Sequence, residues 1–250
     1  MIAPLHVAPV AYLIITAVCM VSVFALRNRS FFEACRMHPY ALYRGKRLAT
    51  VVTSLFVHVN EKHLLINAGL LFLALPEVEY MLVDDFGALM GRLLVLAFIL
   101  FSAAFAGLFT AIQHRSNARH RSAGASALIM ALVLFFLMYF PVEPLNVGPS
   151  ILPLWLPMWL ALGMIVFMLL FALLKIPAGA IHLYGALAGI LFAFAVRPQA
   201  AIEIAEIICP QWKLEKGNDE TPWYKHASEH PVDGPVEECP FAPFAALDGV

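Results

Sequence analysis

Long apolar stretches with almost no charge are the feature of this sequence that most restricts its fold. A helix needs about 20 such residues to cross the roughly 30 Å hydrocarbon core of a bilayer. Six stretches have about this length, at residues 7–26, 63–81, 93–112, 123–142, 151–174 and 176–196. With 62% apolar and only 13% charged residues, the 250-residue chain has too few polar side chains to cover a water-soluble globule. The sequence therefore predicts a multi-pass membrane protein.

The spans are predicted to be helices, because a closed β-barrel would show stretches of alternating polarity, about ten residues long, which the sequence lacks. We therefore expect an all-α fold, a bundle of six transmembrane helices in a membrane domain at residues 1–197. The first span has no Lys or Arg before it and is predicted to be a retained anchor. A proline-rich, polar tail at residues 198–250 is expected to be flexible or loosely attached.

The long first loop, residues 27–62, mixes basic and aromatic side chains. It fits a segment in the membrane interface as well as a solvated basic loop. The net charge of −1 and the lack of a basic patch interleaved with aromatics argue against nucleic-acid binding.

Cysteine and histidine spacings predict no metal site. The four cysteines form no C-x-x-C pair, and Cys209 and Cys239 are open to pairing or to remaining free thiols. His58 and His63 are five residues apart, which is not the H-E-x-x-H spacing of a zinc site. The predicted helices also contain no pair of buried aspartates, so an aspartyl catalytic site is not predicted.

Four polar residues stand out near the starts of predicted spans. His63 and Asn67 are four residues apart in the second span. Ser126 lies near the start of the fourth span, and His182 lies near the start of the sixth. Alternate spans start at the same membrane face, here called the site face, so all four residues are expected at similar depth, about 6 to 8 Å below it. One interpretation is a set of hydrogen bonds that only joins helices, and the other is a functional site.

The fourth and sixth spans both contain small residues at regular helical spacing. Gly124, Ala127 and Ala131 recur in the fourth span, and Gly185 and Gly189 follow His182 in the sixth. Such stripes let helices approach closely, so the fourth and sixth spans are expected to pack together. His182 would then meet Ser126.

A serine hydroxyl becomes a nucleophile when a neutral imidazole takes its proton. His182 is the candidate base, and His63, Asn67 and the Ser126 backbone N–H are candidate donors to an oxyanion. No Asp or Glu is placed at that depth to orient the imidazole, so the arrangement predicts a Ser–His dyad.

Three segments together resemble the rhomboid family of intramembrane serine proteases. They are residues 53–58 followed by His63-x-x-x-Asn67, the Gly124-Ala125-Ser126-Ala127 motif, and His182-x-x-Gly185-x-x-x-Gly189. The resemblance implies that Ser126 is the nucleophile, His182 the base, and His63 with Asn67 the oxyanion donors. It also implies hydrolysis, through an acyl-enzyme and without a cofactor, of peptide bonds in or beside transmembrane segments of single-pass or multi-pass substrates in a cell (inner) membrane.

Two other functions remain open at this point. One is a catalytically inactive rhomboid-like protein that binds membrane helices as a chaperone or escort. The other is a small transporter or channel subunit. The absence of acidic residues within the predicted helices, apart from Glu77 and Glu79 at a helix end, counts against proton coupling in such a protein. Orientation is also open, because the site face carries 11 of the 16 basic residues and the positive-inside rule would place it in the cytoplasm. The resemblance implies the outer side, and we expect that orientation because a long interfacial loop is not the short connector that the charge rule describes.

Overall fold

The computed structural model describes residues 3–141, 146–147, 150–151, 156–174 and 179–208. Within these ranges the regular secondary structure is helical, apart from a short antiparallel pair of strands, Asn146–Val147 with Ser150–Ile151. In chain order, the α-helices are α1 Pro9–Arg27, α2 Arg29–Cys35, α3 Pro39–Leu42, α4 Thr50–Thr53, α5 Glu61–Phe86, α6 Ala88–Gln113, α7 Ser126–Tyr139, α8 Leu156–Leu173, α9 Gly179–Val196 and α10 Gln199–Ile208. The predicted all-α, multi-pass membrane fold is confirmed.

Four of the described helices, α1, α5, α6 and α9, are long and apolar enough to cross a membrane. Shorter apolar helices at Ser126–Tyr139 and Trp159–Leu173 correspond to the fourth and fifth predicted spans. The predicted bounds differ most at α5 and α6, which are longer than expected, and at α7, which is shorter.

A single glycine joins the two longest helices. Asn60 begins α5 by accepting the His63 backbone N–H on Oδ1 at 2.8 Å, a side-chain cap for an otherwise unpaired donor. Gly87, with φ +78°, ends α5 and leads directly into α6. At Gly91, a Cβ would lie 2.5 Å from the Leu82 carbonyl oxygen, so the absence of a side chain lets the two helices turn tightly against each other.

Helix α7 is the centre of the bundle. It packs against α5, α6, α8 and α9, and ten of its 14 residues are buried. At 1.5 Å per residue it is only about 21 Å long, which is less than the thickness of the bilayer core. Residues 123–125 precede the helix instead of forming its first turn, so Ser126 is its first residue.

The first loop, residues 27–62, contains several short helical segments. Three short helices and the 3-10 turn Ser54–Phe56 lie within it. Met37 and Ser122 exchange backbone hydrogen bonds of 2.9 and 3.1 Å, which tie the loop to the segment that leads into α7. Arg47 donates to the Glu33 and Ala34 carbonyl oxygens at 2.6 and 2.7 Å and so satisfies the C-terminus of α2.

The sequence alone suggests a solvated connection between two spans for the acidic stretch after residue 76, but the structure places this stretch in a helix. Helix α5 continues through Pro76 to Phe86, and the Glu79 side chain is fully buried. Its carboxylate accepts the backbone N–H groups of Val10 and Ala11 at 3.2 and 2.6 Å, and Arg92 lies 3.6 Å away. These N–H groups belong to the first turn of α1 and have no partner within that helix, so a buried carboxylate is stabilised there.

The tail begins with a helix, which the prediction of a flexible segment from residue 198 did not include. Arg197 donates to the Tyr139 carbonyl oxygen at the end of α7 and pairs with Glu203 of α10 at 2.6 Å. Tyr139 in turn donates its hydroxyl to Asp85. The expectation for residues 209–250 lies outside the described residues, as does the fate of Cys209 and Cys239.

Candidate active site

The Ser126 hydroxyl and the His182 imidazole are in direct contact. Ser126 Oγ lies 2.9 Å from His182 Nε2, although the two residues are 56 positions apart in the chain. Ser126 is the first residue of α7, and His182 is in the first turn of α9. Both residues are half-buried.

Two glycines allow this contact because they bring α9 against α7. A Cβ on Gly185 would overlap the Ala127 carbonyl oxygen, and one on Gly189 would overlap that of Ala131. The two contacts are one helical turn apart on both helices, so the small-residue stripes face each other along the helix pair. His182 lies three residues before Gly185 and therefore projects from the same side of α9.

The segment before Ser126 has a conformation that requires glycine. Gly124 has φ +114°, and a Cβ there would lie 2.6 Å from Cε1 of His63. A side chain at residue 124 would therefore be both strained and obstructed. The Gly124 backbone N–H donates to the Ser54 carbonyl oxygen at 2.9 Å, which fixes the segment to the first loop.

The structure brings the His63 ring to the same place, and Asn67 follows one turn later on α5. The His63 ring lies beside Gly124, two residues before the serine. Asn67, which is 3% exposed, lies one turn further along α5 and donates through Nδ2 to the His63 carbonyl oxygen at 2.7 Å. An amide nitrogen carries two N–H donors, so one remains for another acceptor.

The start of α7 contributes partial positive charge to the site. The first backbone N–H groups of a helix have no partner within it and carry the positive end of its dipole. Ser126 stands at that end, where a developing negative charge is favoured. Among the hydrogen bonds of the described residues, His182 has Ser126 as its side-chain partner and none joins a carboxylate to it.

His58 is a site residue that the sequence interpretation did not assign. It is completely buried, it packs edge-on against His63 with ring centroids 5.1 Å apart, and its Nε2 accepts the Ala125 backbone N–H at 3.3 Å. Burial, with a smaller contribution from His63, lowers the pKa of His58 to about 4. The sequence does show His58 just before the helix that carries His63 and Asn67, which could have suggested a role at the site. Spacing alone does not show that its imidazole meets the Ala125 backbone N–H.

No cofactor or metal was predicted at these residues. Across the described ranges, no three His, Cys, Asp or Glu side chains converge in a way that could hold a metal ion.

A half-buried serine–histidine pair at the starts of two packed helices, inside an apolar bundle, defines the class: a multi-pass helical membrane protein with a serine-based candidate site. A comparison with protein families matches residues 45–199 to the Rhomboid domain. The match covers more than half of the chain, and the protein belongs to the rhomboid family. A comparison with curated proteins finds no match.

Proposed function

We propose that this protein is an intramembrane serine endopeptidase that cleaves the transmembrane segments of other membrane proteins. The observation that carries the proposal is the 2.9 Å contact between Ser126 Oγ and His182 Nε2. It joins a nucleophile to a base at hydrogen-bonding distance, at the N-terminus of a central helix.

In the first step, Ser126 Oγ attacks the carbonyl carbon of the scissile peptide bond while His182 Nε2 takes the hydroxyl proton. The carbonyl oxygen becomes an oxyanion. The Ser126 backbone N–H, the His63 ring and the second N–H of Asn67 Nδ2 are the donors proposed to stabilise it. The His63 ring lies beside Gly124, and Asn67 is one turn from His63 on the same helix.

In the second step, the C–N bond breaks, and His182 returns the proton to the leaving amine. The other half of the substrate stays on Ser126 as an ester. Water then enters, gives a proton to His182 and attacks the ester carbonyl, and the proton returns to Ser126 Oγ as the acid leaves. The cycle needs no cofactor, because His182 holds and returns the one proton in each half.

The proposed substrates are single-pass or multi-pass membrane proteins, because the site lies inside an apolar bundle that faces lipid on its outer surface. Exposed leucine and phenylalanine side chains cover α5 and α6, as expected for contact with acyl chains. We propose a cell (inner) membrane location, with residues 1–197 forming the membrane domain.

The decisive experiment combines a fluorophosphonate probe with a model transmembrane substrate, using the full chain in detergent. Wild type is expected to be labelled and to cleave, and Ser126→Ala and His182→Ala are expected to lose both. Ser102→Ala is the matched control, because Ser102 is a buried serine on α6 whose hydroxyl has no hydrogen-bond partner in the described structure.

The same experiment tests the alternative, a catalytically inactive rhomboid-like protein that binds membrane helices. If wild type captures the substrate but neither cleaves it nor reacts at Ser126, the protease proposal is wrong and the binding function is supported.

A further inference from the structure

A buried chain of hydrogen bonds runs from α1 to the residue before the nucleophile. Ser22 of α1 donates its hydroxyl to the Phe56 carbonyl oxygen at 2.8 Å, and Ser22 Oγ lies 2.8 Å from His58 Nδ1. On the other side of the imidazole, Nε2 accepts the Ala125 backbone N–H at 3.3 Å. Both Ser22 and His58 are completely buried.

The positions of the protons follow from the partners. A carbonyl oxygen only accepts, so the single hydroxyl proton of Ser22 is given to Phe56. Ser22 Oγ must therefore accept a proton from His58 Nδ1. The Nε2 atom then carries a lone pair, which is what the Ala125 N–H requires. Only the neutral imidazole with its proton on Nδ1 satisfies all three contacts at once.

Two successive backbone N–H groups before Ser126 are thus held by the first loop. Gly124 donates to Ser54, and Ala125 donates to His58. The Ala125 carbonyl oxygen accepts the Ile129 N–H at 3.0 Å and so belongs to the first turn of α7. The orientation of the Ala125 peptide therefore determines where the helix begins and where Ser126 Oγ points.

We propose that Ser22 and His58 are positioning residues that hold the Gly124–Ala125 backbone so that Ser126 Oγ meets His182. This proposal rests on the proposed function. Ser22 acts through His58, because it fixes the tautomer that can accept from Ala125. His58 acts through the backbone and does not itself touch the reacting atoms.

The test measures kcat and KM for cleavage of a model transmembrane substrate by the full chain. His58→Leu removes the acceptor and is expected to lower kcat by about 10-fold to 100-fold, the effect of a misplaced reacting group, with KM little changed. His58→Gln, which can offer Oε1 to the Ala125 N–H, is expected to recover part of the loss. Ser22→Ala is expected to lower kcat in the same direction by a smaller factor.

Ser102→Ala is the matched control, because it removes a buried serine hydroxyl from a membrane helix without breaking a hydrogen bond of the described residues. The effects of His58→Leu and Ser22→Ala on kcat should not multiply, because Ser22 acts through His58. In a His58→Leu background, Ser22→Ala is expected to change kcat no further. Thermal unfolding of each variant checks that it is folded at the assay temperature. If His58→Leu does not fold, the kcat of Ser22→Ala, which removes only one oxygen atom, is compared with that of Ser102→Ala.

Nitrogen-15 NMR of histidine-labelled protein provides a readout that does not depend on turnover. Wild type is expected to show His58 as the neutral form with its proton on Nδ1, and Ser22→Ala is expected to shift it toward a mixture of tautomers. Absence of Ser126-dependent cleavage in wild type would refute the proposed function, and the NMR result would still decide the Ser22–His58 pairing. The positioning role is overturned if Ser22→Ala and Ser102→Ala have equal kcat, if the loss falls on KM, or if His58 carries its proton on Nε2.

Discussion

Gly185 of α9 lies so close to Ala127 of α7 that a Cβ at residue 185 would overlap the Ala127 carbonyl oxygen. On α9 this contact is one turn after His182, and on α7 it is one residue after Ser126, which contacts His182. Because both residues of the pair are attached to the helices that meet here, the spacing between the helix backbones sets the distance between the hydroxyl and the imidazole.

Gly185→Ala is therefore expected to damage both stability and activity. The added methyl group must push α9 away from α7, and overpacking of this kind typically costs about 1 to 3 kcal/mol. Thermal unfolding in detergent and substrate cleavage provide the measurements. Gly69→Ala is the control, because a Cβ at Gly69 of α5 meets no atom within 4 Å. Equal behaviour of the two variants would contradict the close approach of α7 and α9.

Glu79→Ala is expected to destabilise the bundle by about 1 to 3 kcal/mol, because it leaves the buried N–H groups of Val10 and Ala11 without an acceptor. Loss of the partner of Arg92 adds to this cost. The measurement is the free energy of unfolding in mixed micelles. Asp84→Asn, at an exposed position on the same helix, is the control and is expected to stay within about 0.5 kcal/mol of wild type.

The pKa of His58 predicts how stability depends on pH. Burial lowers the pKa to about 4 in the folded protein, whereas an unfolded histidine titrates near 6.5. Between these values the unfolded chain binds a proton that the folded chain does not, so the free energy of unfolding falls as the pH falls. Above about pH 6.5 both states are neutral at this residue, and the contribution is fully present.

The titratable group that faces His58 is His63 on α5, since Ser22 and the Ala125 backbone carry no charge. The measurement compares the melting temperatures of wild type and His58→Gln at about pH 7.5 and at about pH 4.5. Wild type is expected to lose more on acidification than the variant, which has no imidazole at this position. Equal losses would show that His58 does not contribute to the acid sensitivity.

Membrane orientation is predicted to place the site face outside the cytoplasm. In a background with Cys19, Cys35, Cys209 and Cys239 replaced, Ser116→Cys on the site face should react with an impermeant maleimide in intact cells. Asp84→Cys, at the other end of the bundle, should react only after the membrane is opened. The reverse pattern would support the positive-inside rule, which the described Arg and Lys residues of the first loop and of residues 115–121 favour.

The positions of most candidate site residues could be predicted, because they follow from the apolar spans and from helical periodicity. Ser126, His182, His63 and Asn67 are polar residues near the starts of alternate apolar spans, and the direction of each span follows from counting. The stripes that contain Gly185 and Ala127 follow from helical periodicity. The roles of these residues remain predictions, whereas the contact of Ser126 with His182 and of the His63 ring with Gly124 are features of the structure.

What the sequence by itself determined is the class of protein, the number and order of its apolar helices, and the residues of the candidate dyad. Apolar length and helical period are properties of neighbouring residues, so they can be read along the chain. Only the tertiary structure decided that α7 begins at Ser126, that Glu79 caps α1 and that His58 holds Ala125. Each of these depends on which donor meets which acceptor across dozens of residues, and helix packing, not spacing, determines that.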